Sequence, residues 1–403
     1  MIYHAYQAHA DMVSPLHLLT EAVQRGLKGM KPDGHNAMRK FEAACEVFLQ
    51  ARLTHKRPAF GIGSVMTQGR EYEIAEEVAH TTPFATLLRF RKLGAPRQPR
   101  VLLVAPMSGH FATLLRETVR TMLADHDVYI TDWHNARDVP LGAGCFGLDE
   151  YTEHLMVFLE QLGPGAHMVA ICQPCVSALA ATALMAEDEH PAQPASLTLM
   201  AGPIDCRVNP TQVNQLAASK PIEWFERHLI STVPLHHRGA LRRVYPGFVQ
   251  LAAFMNMNLE RHVQSFVGLY NSLVEGDDEK ARATKAFYEE YFAVLDLSAE
   301  FYLETVRLVF QEHVLPRGEL RFRGRRVDPG AIRRTALLTV EGERDDICAI
   351  GQTVAAQDLC TGLRPYMKTH HVQPGVGHYG VFSGRRWSQQ IYPVVRGHIH
   401  AGI

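Results

Sequence analysis

The chain has 403 residues, 46% of them hydrophobic, and a formal net charge of −1. That is enough apolar material for two or three domains, or for one domain with a large insertion. Near-neutrality excludes the electrostatic footprint of a nucleic-acid or anionic-membrane binder, and no apolar run approaches the roughly 18 residues that a membrane span requires.

The first residues, Met1 to Asp11, lack the basic and apolar regions of an export signal, so the seven cysteines are expected as reduced thiols rather than a disulfide framework. The 22 histidines are mostly scattered. His236-His237 and His370-His371 lack the carboxylate and helical spacing of a metal site and read as solvated surface. No metal and no cofactor is expected.

Residues 1 to about 60 read as helical, with apolar positions at three-four spacing over 14–27 and 36–53. Ser14 before Pro15 suggests an N-cap followed by proline at the first helical position. Residues 71–92 read as two strands around a turn at Thr81-Thr82-Pro83. From Val101 the pattern becomes α/β. Strands are expected over 101–105, 127–130, 167–171 and 196–200, with helices over 111–123, 149–162 and 176–185. Short apolar strands alternating with helices argue for a parallel sheet covered on both faces. After Cys206 the pattern breaks, and about 207–325 carry almost only helical signals. Strands resume at 335–340 and 368–372, with helical runs at 353–359 and about 388–398. The expected organisation is a helical segment (1–60), a first core part (61–206), a helical cap or lid (207–325) and a second core part (326–403). An insertion of that length is too long for a structureless loop.

Chemistry concentrates where strands end. The run Val169-Ala170-Ile171-Cys172-Gln173-Pro174-Cys175 leads from an apolar strand into a small-residue helix. A nucleophile at such a turn is lifted above the sheet. The free N–H groups of a helix N-terminus favour thiolate, and the Gln173 N–H points where an oxyanion would form. A buried packing cysteine is the plain alternative. Glu341-Gly342-Glu343-Arg344-Asp345-Asp346 follows a second strand, where a carboxylate can orient a histidine. Gly375-Val376-Gly377-His378-Tyr379-Gly380 follows a third and aims one imidazole from a tight loop. Each of these two alone reads as solvated surface. Together, the order nucleophile, acid, histidine is that of the α/β-hydrolase triad. Ala105-Pro106-Met107-Ser108-Gly109-His110 falls where a second oxyanion donor belongs, the backbone N–H of Met107 or Ser108. Cys172-Gln173-Pro174-Cys175 also matches a thiol-disulfide redox centre, but that reading has no use for Asp345 or His378. Zinc at these two cysteines lacks a second Cys/His pair.

Around these residues, AICQP, TDWHNARDVP (Thr131 to Pro140), EGERDDI and GVGHYGVFSGRRW resemble the intracellular polyhydroxybutyrate depolymerases, over about residue 60 to the end. The resemblance implies an α/β-hydrolase fold and a cytosolic, granule-associated ester hydrolase acting on stored poly(3-hydroxybutyrate) or its oligomers. Carried over, Cys172 is the nucleophile, His378 the general base and Asp345 its orienter, with Asp346 in reserve. Polyhydroxyalkanoate synthases are similar too, but flank their cysteine with glycines where this chain has Ala170 and Pro174. Expected partners are the polyester and the granule surface, with no nucleic acid and no membrane; a homodimer is one alternative. A granule-coating protein on a degenerate fold is the non-enzyme alternative. Phe248, Leu251, Phe254, Met255, Met257, Leu259, Phe266 and Leu269 offer an apolar approach surface or, alternatively, pack the insertion. Trp133, Arg137 and Trp387 are assigned to loop packing near the site, and Cys175 to packing or to a reversible disulfide.

Overall fold

The computed structural model describes residues 2–27, 36–257 and 259–401. Its centre is a nine-stranded sheet. β1 (Ser64–Thr67), β2 (Arg70–Thr81) and β3 (Ala85–Lys92) form an antiparallel meander at one edge. β4 (Arg100–Val104), β5 (Asp127–Trp133), β6 (His167–Ile171) and β7 (Ser196–Met200) are mutually parallel, β5 also pairing antiparallel with β3. β4, β6 and β7 are almost wholly buried, as continuous apolar strands covered on both faces must be.

Helices α1 (Ile2–Leu27), α2 (Asn36–Gln50), α3 (Arg116–Met122), α4 (Leu148–Leu162) and α5 (Cys175–Glu187) belong to this first half. α5 packs against the sheet and against α4, and every residue from Cys175 to Met185 is buried. Its alanines, rather than an apolar stripe, suit a helix enclosed on all sides.

After β7 come α6 (Gln212–Ala218), α7 (Ile222–Leu229), α8 (Gly247–Met257), α9 (Leu259–Glu275), α10 (Asp278–Tyr291) and α11 (Ala299–Glu304), which runs on as a π-helical stretch, Thr305–Gln311. Among them lie β8 (Ser231–Thr232), β9 (Arg243–Tyr245) and β10 (Leu297–Ser298), a small separate sheet, then the hairpin β11 (Arg321–Phe322) and β12 (Arg325–Arg326). β13 (Ala336–Gly342) and β14 (Lys368–Gln373) then extend the large sheet in parallel, with α12 (Ala355–Leu359) between them. The order is β1-β2-β3-β5-β4-β6-β7-β13-β14. A mostly parallel sheet of this order, flanked by helices, is the α/β-hydrolase fold expected above.

The order also fixes where a site can form. From β4 the chain steps one way to β5, then crosses back to lay β6 on the other side of β4. Loops leaving β4 and β6 therefore diverge, and the crevice between them opens at the strand C-ends.

Several local expectations change. The first helix does not start at Ser14 but runs from Ile2 with Pro15 inside it. Interior proline costs about 3 kcal/mol. The added turns are anchored: Tyr3 is buried with its hydroxyl donating to Asp296 at 2.6 Å, and Tyr6 stacks on Phe248 at 4.0 Å. β1 and the strands between β7 and β13 were not expected, because two to four residues carry no readable alternation. The run 111–123 divides into a 3-10 turn, Ala112–Leu115, and α3.

The apolar residues of the insertion mostly pack. Leu251 and Leu269 are buried, Phe248 sits against Tyr3 and Tyr6, and Phe266 against Tyr288. Met255 is half-buried, Leu259 is exposed, and the Met257 side chain lies outside the described residues. The outward apolar row on this layer is instead Leu259, Val263 and Val267, one turn apart on α9.

Candidate active site

Cys172 is the first residue after β6 and has φ 68, in the left-handed region that costs a residue with a Cβ of the order of 1–3 kcal/mol. The conformation is held from both sides. The Cys172 N–H donates to the Met200 carbonyl at 2.8 Å, and the Cys175 N–H to the Cys172 carbonyl at 3.1 Å. Pro174 sits at the N-cap of α5 with φ −61, so its missing N–H removes nothing from the helix. The Cys172 thiol is partly exposed. Cys175 turns the other way: it is buried, its thiol donates to the carbonyls of Ala170 (3.4 Å) and Met200 (3.7 Å), and burial holds it well above the ordinary thiol range. A Cβ on Gly202, just past β7, would run into Cys175, so this close approach requires glycine.

Asp345 and His378 follow β13 and β14 and meet at 2.8 Å, Oδ2 of the carboxylate facing Nδ1 of the imidazole. The other carboxylate oxygen accepts the N–H groups of Ile347 (2.9 Å) and Cys348 (2.8 Å). Both side chains are buried. Burial opposes a charge on His378, but the neighbouring Asp345 and Cys172 charges outweigh it and hold the imidazole pKa well above its usual value. Asp346, the reserve acid, is exposed and makes no hydrogen bond or ion pair with the histidine among the described residues.

The β4 loop leaves the sheet at the same end as the Cys172 turn, since β4 and β6 are parallel neighbours. No hydrogen bond engages the N–H of Met107, Ser108 or Gln173 among the described residues. Free donors at such a place suit a developing oxyanion. The loop is braced from two sides. Trp133 and Tyr151, stacked at 4.3 Å, both donate to the Ala105 carbonyl, at 2.9 and 3.2 Å. From the insertion, the Leu295 N–H donates to the Gly109 carbonyl at 2.9 Å, and His110 contacts the Tyr291 carbonyl at 3.2 Å. Gly109 has φ 95 and its Cα faces Gln250 so closely that a Cβ would lie 2.8 Å from it.

The sequence placed Trp133 in loop packing near the site without a partner, and it gave no role to Glu341 or to the Gln173 side chain. Trp133 supports the β4 loop. Glu341, buried at the end of β13, gathers the N–H groups of Gly351, Thr353 and Val354 at 2.8–3.0 Å and shapes the turn into α12. The Gln173 side chain is buried with neither amide atom paired among the described residues. Trp387 packs in the main core, and Arg137 stands 3.8 Å from Asp138.

A cavity of about 880 Å³ opens beside His378, between α9, α10 and the loops after β13 and β14. Its wall includes His378 but not Cys172. Phe254, Phe287, Tyr288 and Tyr291 form one side, and Arg261, Arg344, Arg385 and Arg386 stand around it. No group of three or more potential metal ligands occurs among the described residues.

A parallel sheet with a strained cysteine turn and an acid–histidine pair at its strand ends defines a hydrolase of the α/β class. A family model described as PHB de-polymerase C-terminus matches residues 201–402, half of the chain. The chain belongs to that family. No curated protein sequence matches it. Among solved structures it is similar to a Bacillus megaterium epoxide hydrolase (13% identity, TM-score 0.47, covering 80% of this chain and 99% of that one). It is also similar to a thermophilic esterase from Thermogutta terrifontis (15%, TM-score 0.43, 84% and 98%). A third likeness is to a putative lipase from Acinetobacter baumannii AYE (14%, TM-score 0.43, 82% and 93%). No described helix is long and apolar enough to cross a membrane.

Proposed function

We propose that the protein cleaves the ester bonds of poly(3-hydroxybutyrate) or its oligomers through a covalent Cys172 intermediate. The observation that carries this reading is the His378–Asp345 pair at 2.8 Å, with Cys172 held at a left-handed turn beside it. The Cys172 thiolate attacks the ester carbonyl. The N–H groups of Gln173 and of Met107 or Ser108 receive the oxyanion, and the imidazolium of His378 gives its proton to the departing hydroxyl. His378 then takes a proton from water, which releases the acid from the thioester. Asp345 holds the imidazole in the tautomer that leaves Nε2 for this exchange.

In this reading residues 207–325 act as a cap. Their segment 291–296 pins the β4 loop, so the cap bears on the oxyanion donors as well as on substrate access. The thiol-disulfide alternative is disfavoured by Cys175, whose thiol is buried and directed at two strand carbonyls.

Incubation with a 3-hydroxybutyrate oligomer, followed by mass spectrometry, tests the assignment. Released hydroxy acid and an acyl adduct on Cys172 are expected, and Cys172→Ala should lose both while keeping its thermal transition. Ester cleavage undiminished in Cys172→Ala would overturn it.

A further inference from the structure

A neutral polyester offers methyl groups and ester oxygens, which suit the aromatic side of the cavity but not its cations. Arg261, Arg344, Arg385 and Arg386 face a single lining carboxylate, Asp346. Arg385 rests on Gln389 and Arg386 on the Pro374 carbonyl. The guanidinium groups of Arg261 and Arg344 have no hydrogen bond or ion pair among the described residues. Burial first, and the Arg261 charge second, hold the neighbouring His262 below its ordinary pKa. Unpaired guanidinium groups gathered at one mouth are suited to a planar carboxylate.

The direction of the polymer says which carboxylate. Each ester joins the carbonyl of one unit to the hydroxyl oxygen of the next. When the Cys172 sulfur bonds to the carbonyl carbon, the carbon–oxygen bond breaks and the proton of His378 goes to that oxygen. The acyl side stays on sulfur. The departing alcohol carries the rest of the chain toward its free carboxyl end. It leaves past His378, and the arginine-lined cavity has His378 in its wall.

We propose that this cavity binds the carboxylate-ended leaving fragment, so that cleavage is directed to the carboxyl end of the chain. The proposal rests on the depolymerase reading, and its test separates the two. A 3-hydroxybutyrate oligomer and its methyl ester, which lacks the terminal charge, serve as paired probes. With the active protein, kcat/KM should be about tenfold higher for the free acid, and the preference should shrink as salt is raised. Arg261→Gln/Arg344→Gln should lose most of the preference through KM while cleaving the methyl ester as before. Equal kcat/KM for the two probes, or equal loss on both in the double variant, overturns the proposal. Binding of both probes to Cys172→Ala, followed by calorimetry, reads charge recognition without turnover. Tighter binding of the free acid with no cleavage by the native protein would sink the depolymerase reading and spare the carboxylate site; equal or absent binding would sink the site.

Discussion

At the scale of single residues, the site depends on which groups share charge. Asp345 is saturated by two backbone N–H groups and His378, which fixes it as the imidazole's partner and leaves Asp346 in solvent. The acid loop was legible in the sequence, but two adjacent carboxylates look alike there, and the choice needed the turn geometry. Asp345→Asn removes a charge that favours the imidazolium. By analogy with other triads, kcat should fall by about 10³–10⁴-fold. The sign of the pH effect follows from the raised His378 pKa. If protonated His378 is needed to expel the alcohol, the alkaline fall of kcat/KM lies above the ordinary histidine range in the native protein, and the variant moves it to lower pH. A kcat/KM profile of both proteins checks this; an unmoved alkaline limb would separate Asp345 from the histidine's proton.

At the scale of elements, strand-turn-helix at Cys172 was readable because an apolar run ending in a small-residue helix is a local pattern. The bracing of the β4 loop was not. Trp133 reaches the Ala105 carbonyl only because β4 and β5 are parallel neighbours. The insertion shows the same limit. Its apolar residues were visible, but their facing was not, since several pack into aromatic clusters and the exposed row falls on Leu259, Val263 and Val267. On the proposed function this row meets the polymer surface. Val263→Asp/Val267→Asp should weaken adsorption to polymer granules several-fold and leave kcat/KM on soluble oligomers unchanged. A sedimentation assay beside a soluble assay tests it, and parallel loss in both would return the row to a packing role.

At the scale of the whole molecule, the N-terminal helix is tied to the insertion through the Tyr6–Phe248 stack and a buried carboxylate. Asp296 accepts from the Tyr3 hydroxyl at 2.6 Å and the Gly247 N–H at 2.9 Å, and burial pushes its pKa up to about 6. A raised carboxylate pKa means that the fold binds the proton more tightly than the unfolded chain. Its contribution is complete below the unfolded value, near 3.8, and is lost as pH rises through about 6. A gap of about two pH units corresponds to about 3 kcal/mol. Denaturant unfolding of native protein and Asp296→Asn at pH 4 and pH 7 should therefore show the native protein losing about 2 kcal/mol relative to the variant, most of the full gap. A difference that does not change with pH would mean that Asp296 is ionised throughout.

The sequence by itself determined the strands and helices of the large sheet from β2 onward, the break after Cys206, and the chain order of Cys172, Asp345 and His378. These are carried by short-range periodicity and by which residue types follow a strand. Only the tertiary structure decided that Asp345 rather than Asp346 meets the histidine, that the β4 loop keeps its N–H groups free, and that four arginines surround the cavity at His378. Each of these is a meeting of segments far apart in the chain. A parallel sheet gathers such segments at its strand ends, and the twist, loop turns and packing that set their final facing leave no periodic mark in the sequence.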